Sequence, residues 1–187
     1  MIRRLCCTGA LVLALLATSV PAASAATAPN TWATKFCTAF TKWQKTITSE
    51  SSKANNALDA TSGADLSAIR AEFISFLAND VAATNAVVKA IDSAGAPGVT
   101  NGAKIQSKIL AGFQSTSDVF SGAKSDAAAL STTDASSFVT DAGKIETNLN
   151  SAADGFTAAF DAAQKLDKSN KLGLALSKAK ACKAISS

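Results

Sequence analysis

The side chains able to do chemistry are few, and the types that are missing restrict the function as much as those present. The chain has four cysteines (Cys6, Cys7, Cys37 and Cys182), eighteen lysines and arginines, fourteen carboxylates, and neither histidine nor tyrosine. Without histidine a Ser-His-Asp or Cys-His arrangement is impossible, and a Ser-Lys dyad would need a buried lysine that nothing in the sequence marks. The usual ligands of zinc, copper and haem are missing, as are the Glu-x-x-His pairs of di-iron bundles. The carboxylates are scattered, and no run has the loop spacing of a calcium hand. Gly95-Ala96-Pro97-Gly98 is a helix-breaking turn with no strand before it, not a phosphate loop. The expectation is a protein without catalysis, metal or cofactor.

Two kinds of chemistry remain, thiol oxidation and the binding of anions. Residues 1–25 have the layout of a secretory signal peptide: Arg3 and Arg4, an apolar run from Ala10 to Ala17, then Pro21 and the small-x-small site Ala23-Ser24-Ala25. The apolar stretch from Leu5 to Val20 falls short of the roughly 20 residues a spanning helix needs. Cleavage is expected before Ala26, leaving one domain over residues 26–187 in an oxidising compartment. Cys6 and Cys7 leave with the signal, so Cys37 and Cys182 remain as an even pair and are expected to form a disulfide; two free buried thiols are the alternative. A loop that long could stabilise the fold by up to roughly 5 kcal/mol.

The lysines are concentrated at the two ends. Residues 26–53 carry four lysines against one acid, residues 162–187 six against one, and the stretch between them six cations against twelve acids. A Cys37–Cys182 bond would bring the basic ends together, with Lys35, Lys42, Lys45, Lys178, Lys180 and Lys183 near the clasp. Ordinary solvated lysines are the alternative reading, because lysine fields are weakly specific.

The elements that must position these groups are helices. Trp32, Phe36, Phe40, Trp43 and Ile47 recur at steps of four, four, three and four, the spacing of one helical face. Interleaved Lys35, Lys42 and Lys45 would also suit a stacking surface for nucleic acid or a glycan, but they flank the aromatic stripe as in a core-facing amphipathic helix. No specific nucleic-acid binding is expected. Trp32, at the helix start beside a loose leader, is the aromatic expected to be partly exposed.

The first helix should run to about Ala60. A second follows the turn at Thr61-Ser62-Gly63, with Asp65 at its cap and Leu66, Ile69, Phe73, Leu77, Val87 and Ile91 on its stripe. The Gly95 to Gly98 turn ends it. A third spans about Val99 to Leu130, where internal Gly102, Gly112 and Gly122 imply some fraying or very close helix contact. After Ser131 to Asp134 comes the most regular helix, with Phe138, Ala142, Ile145, Leu149, Ala152, Phe156, Ala159, Ala163 and Leu166 in a seven-residue repeat. The chain should then bend near Asp167 to Gly173, and a last segment places Leu172, Leu176, Ala179 and Cys182 on one side.

Four matched helices with short turns predict an all-α, antiparallel up-down four-helix bundle, its short C-terminal helix tied to the first by the disulfide. In that topology the fourth helix ends beside the start of the first, where Cys182 can reach Cys37. A monomer is expected, although the heptad spacing would also permit a dimer. Asn55, Asn56, Asn85, Gln106 and Asn148 are candidates to line an internal polar cavity.

The signal-peptide style, the Trp32-x-x-x-Phe36-Cys37 opening and the late Cys182 resemble those of the small, alanine-rich, secreted helical proteins of high-GC Gram-positive bacteria. That resemblance implies an extracytoplasmic bacterial setting and carries no functional residues. The functional expectation is an exported binding or structural protein of the cell envelope or medium, whose lysine-rich end meets an anionic envelope polymer, a lipid or an acidic protein. The alternative is a carrier that holds an apolar small molecule or lipid between its helices.

Overall fold

The structure, a computed structural model, describes residues 26–60 and 65–183. The signal-peptide segment and the turn at Thr61-Ser62-Gly63 lie outside the described residues. Six helices follow in order: α1 (Pro29–Ala60), α2 (Leu66–Ala94), α3 (Gly102–Ala128), α4 (Ala135–Leu166), α5 (Lys171–Lys178) and α6 (Lys180–Lys183). Pro29 opens α1 at a position where its missing N–H would have had no helical partner. Asp65 and Asp134 cap α2 and α4, each carboxylate accepting from the backbone N–H groups two and three residues on.

Two of the three α3 glycines serve close contact, one of the two outcomes expected of them. Gly102 is the first residue of the helix, and a Cβ there would stand 1.8 Å from the Pro97 carbonyl oxygen. The helix therefore starts three residues later than Val99, once the chain has passed the left-handed Asn101 (φ 64°). At Gly112 a Cβ would approach the Ala159 Cβ to 2.8 Å, so glycine lets α3 and α4 come close. A Cβ at Gly122 would meet nothing within 4 Å, so no close contact calls for glycine there.

Consecutive long helices contact one another in reversed order. Along α1 and α2 the partners are Trp32 with Gly95, Trp43 with Thr84, and Asn79 with Glu50. Along α2 and α3, Gln106 donates to the Ile91 carbonyl, Ser117 to Asn85, and Arg70 to the Leu130 carbonyl. The first and fourth helices meet through rings: Phe36 lies 5.9 Å from Phe160 and Phe40 lies 6.1 Å from Phe156, centroid to centroid.

The expectation for Trp32 is overturned. Its ring is 0 % exposed, and its indole N–H donates to the Gly95 carbonyl at 2.8 Å. The leader is the cause: Thr27 donates its N–H to the Ala96 carbonyl and accepts from the Gly98 N–H, so residues 27 and 97 pair like short parallel strands over the indole. Phe36 is buried too, and Phe40 and Trp43 pack against the same cluster, which excludes the stacking-surface reading of this stripe.

The core is divided. One apolar cluster, around Trp32, Phe36, Val87, Ile109 and Phe113, fills the end bearing the disulfide. A second, around Leu77, Ala127, Leu130, Phe138 and Ile145, fills the other. Between them along α2 and α3 lie the buried polar residues, Asp80 and Thr84, then Thr116 and Ser117.

The tail closes the first cluster. Asp167 ends α4, and its carboxylate accepts from the N–H groups of Leu172 and Gly173, which starts α5. The last segment is not one helix. Extended backbone at Ala179 (φ −67°, ψ 123°) divides α5 from α6. Cys182 of α6 is bonded to Cys37 of α1, with Cα atoms 5.0 Å apart. Replacing both residues by serine is expected to lower unfolding stability by about 2–5 kcal/mol, read by denaturant titration of each protein; equal midpoints and slopes would show that the bond contributes nothing.

Candidate functional site

The disulfide brings the two basic ends together. Cys37 points inward and is 2 % exposed, so the opposite face of α1 is turned to solvent. All six of the lysines singled out in the sequence are exposed. Among the described residues the ion pairs are Lys53–Glu50 and Lys144–Asp141, so none of the six is paired with an acid.

The six lysines do not form one patch. Lys42 and Lys45 border an open groove of about 570 Å³ whose other walls include Thr38, Thr41, Thr46 and, from α6, Ala181. Lys178 stands with Lys171 in a smaller groove of about 280 Å³ against Pro29 and Asn30 at the start of α1. Lys35, Lys180 and Lys183 line neither. The larger groove pairs ammonium donors with hydroxyls whose own protons are in use: Thr38 and Thr46 donate to the carbonyls four residues back, leaving their oxygens free to accept. Thr41 spans to the tail and donates to the Ala181 carbonyl. Glu50 also lines this groove, its carboxyl held below the usual carboxylate range by hydrogen bonds from Lys53 and Asn79.

A different space lies beneath the tail. Trp32 and Phe36 of α1, Ile105 and Ile109 of α3 and Phe160 of α4 surround a partly enclosed cavity of about 220 Å³, roofed by Leu172 and Leu176 of α5. It follows from the way α1 and α4 meet through rings rather than by close backbones. Polar groups, Asp161, Gln164, Asp167 and Asn170, also line it. The expected asparagine-lined interior is absent. Asn55, Asn56, Asn85 and Asn148 are exposed, and half-buried Gln106 is used up on the Ile91 carbonyl.

One buried group was hidden among fourteen scattered acids in the sequence. Asp80 is 0 % exposed, and neither carboxyl oxygen has a hydrogen-bond partner. Its neighbours in the polar layer are satisfied: Trp43 donates to the Thr84 hydroxyl, which donates to the Asp80 backbone carbonyl. Burial, with a smaller push from the charge of Glu50, raises the Asp80 carboxyl to about 7. Its place three residues after Leu77 and four before Thr84, within the apolar stripe of α2, was the available signal.

Among the described residues no group of three or more histidine, cysteine or acidic side chains could hold a metal ion, and no described helix is long and apolar enough to cross a membrane. Comparison with known proteins gives no match: no family model fits the chain, and no curated protein or solved structure is similar to it.

The raised Asp80 carboxyl makes stability depend on pH. The folded state keeps a proton that the unfolded chain, with an ordinary carboxyl near 3.8, has lost. Its contribution is complete below the unfolded value and is lost as pH rises through about 7. Wild type is therefore expected to lose on the order of 2 kcal/mol relative to Asp80→Asn between pH 4 and pH 7.5, discounting the full shift for residual solvation. Parallel stability profiles of the two proteins across that range would contradict it.

Proposed function

We propose that this chain is an exported, monomeric, antiparallel up-down four-helix bundle that binds without catalysis, and that its ligand is an anionic, hydroxyl-rich polymer of the bacterial envelope. The reversed order of contacts along successive helices supports the bundle, and the disulfide fits the oxidising compartment to which residues 1–25 would direct the chain. The single observation that carries the ligand is the groove where Lys42 and Lys45, free of acid partners, stand beside threonine hydroxyls and the tail backbone. Ammonium groups attract phosphate or carboxylate. Hydroxyl oxygens with free lone pairs accept from sugar or polyol hydroxyls. An open groove admits a polymer passing through it, where an enclosed one would admit only an end.

Lys42→Glu with Lys45→Glu tests this. Attachment of the purified protein to isolated envelopes should weaken at least tenfold, and wild-type attachment should fall steeply as salt shortens the range of the attraction. Reversing exposed Lys104 and Lys108 on α3 changes net charge equally and should have a much smaller effect. Equal attachment by wild type and the groove variant would overturn the proposal.

A further inference from the structure

We infer that the cavity beneath the tail is a second binding site, for a small aromatic amine of about nine non-hydrogen atoms, sized from a 150 Å³ apolar cavity that accepts benzene. Its ring would occupy the apolar interior, and its ammonium group would face Asp161. The inference is independent of the lysine groove, and either site can fail without the other.

Three observations carry it. The lining is chiefly apolar, with Phe36, Ile109, Phe160, Leu172 and Leu176 set against the polar groups Asp161, Gln164, Asp167 and Asn170. The apolar side of this space gains by covering with apolar matter, and the polar side offers a place for a charged or hydrogen-bonding group. Second, the shape of the site favours a ring. The indole of Trp32 and the rings of Phe36 and Phe160 line it, and aromatic groups gain from stacked or edge-on neighbours beyond the area they bury.

Third, the charge lining the cavity has one sign. Asp161 and Asp167 line it, and no lysine or arginine does. Asp167 is already engaged, accepting the N–H groups of Leu172 at 2.9 Å and Gly173 at 3.0 Å. Asp161 is exposed and makes no hydrogen bond or ion pair among the described residues. A carboxylate ligand would be repelled there and a neutral ring would gain only its burial, whereas an ammonium group would add an ion pair while its ring fills the cavity.

The probe is 2-phenylethylamine, with 3-phenylpropanoate as its charge-reversed counterpart, titrated into the oxidised protein by calorimetry and ligand-observed NMR. The amine should bind with one-to-one stoichiometry at least fivefold more tightly than the carboxylate. Asp161→Asn, an exposed substitution, should weaken the amine at least fivefold. Ala163→Met, which fills the cavity from α4, should abolish binding, and Lys42→Glu with Lys45→Glu should leave it unchanged. No amine binding, equal binding of the carboxylate, or full affinity in Asp161→Asn would overturn the inference. If Ala163→Met loses its helical circular dichroism, the Asp161→Asn titration alone decides; if it folds and still binds, the site is elsewhere.

Discussion

Helices of eight and four residues do not persist in water by themselves, because nucleation fixes several residues for one hydrogen bond. The tail helices α5 and α6 persist because Cys182 is bonded to Cys37, a closure spanning 145 residues of sequence. That one bond has two effects on opposite sides of α1. Outward, it holds the lysine-bearing tail against a lysine-bearing helix, an arrangement that charge repulsion alone would oppose. Inward, it keeps Leu172 and Leu176 as a roof over the aromatic cluster. Both candidate surfaces therefore depend on the same covalent link.

The aromatic rings set the spacing on which the second of these depends. Trp32, Phe36, Phe40 and Trp43 form a ladder with successive centroids 5.1, 5.8 and 5.4 Å apart. Across from it stand Phe156 and Phe160 of α4, with Phe113 of α3 edge-on to Phe156 at 4.9 Å. Rings this large keep two helices apart where Gly112 and Ala159 let α3 and α4 close up. The packing is tight between α3 and α4 and wide between α1 and α4, and the tail lies over the wide side. Where the ladder ends, the core changes to the polar layer holding Asp80, so the two apolar clusters are joined through a group whose charge follows pH near neutrality.

Much of the helical order was legible because it is local. Asp65 and Asp134 announce helix starts through backbone N–H groups two and three residues away, and the four-and-three spacing of α1 marks its buried face whatever lies opposite. The cysteine pair was legible by counting. What stayed hidden is tertiary. Nothing near Trp32 in sequence says that Thr27 will pair with the turn sixty-nine residues on and cover the indole. Gly102 suggests either fraying or close contact, and only the fold shows that its partner is the Pro97 carbonyl. Asp80 carries the wrong chemistry for its position, and only the rotation of α2 shows it buried. For the candidate sites, the sequence named six lysines but not that only Lys42, Lys45 and Lys178 border grooves, and it suggested an internal ligand without the ring spacing that makes room for one.

The central claim is that the disulfide holds the tail in place while the long helices hold one another. Amide hydrogen exchange, compared between oxidised and reduced protein, tests it most directly. Reduction should remove protection from residues 171–183 and leave the amides around Ile105 to Phe113 in α3 protected. A tail equally protected in both states would show that packing alone retains it, and that neither the basic face nor the roofed cavity depends on the bond.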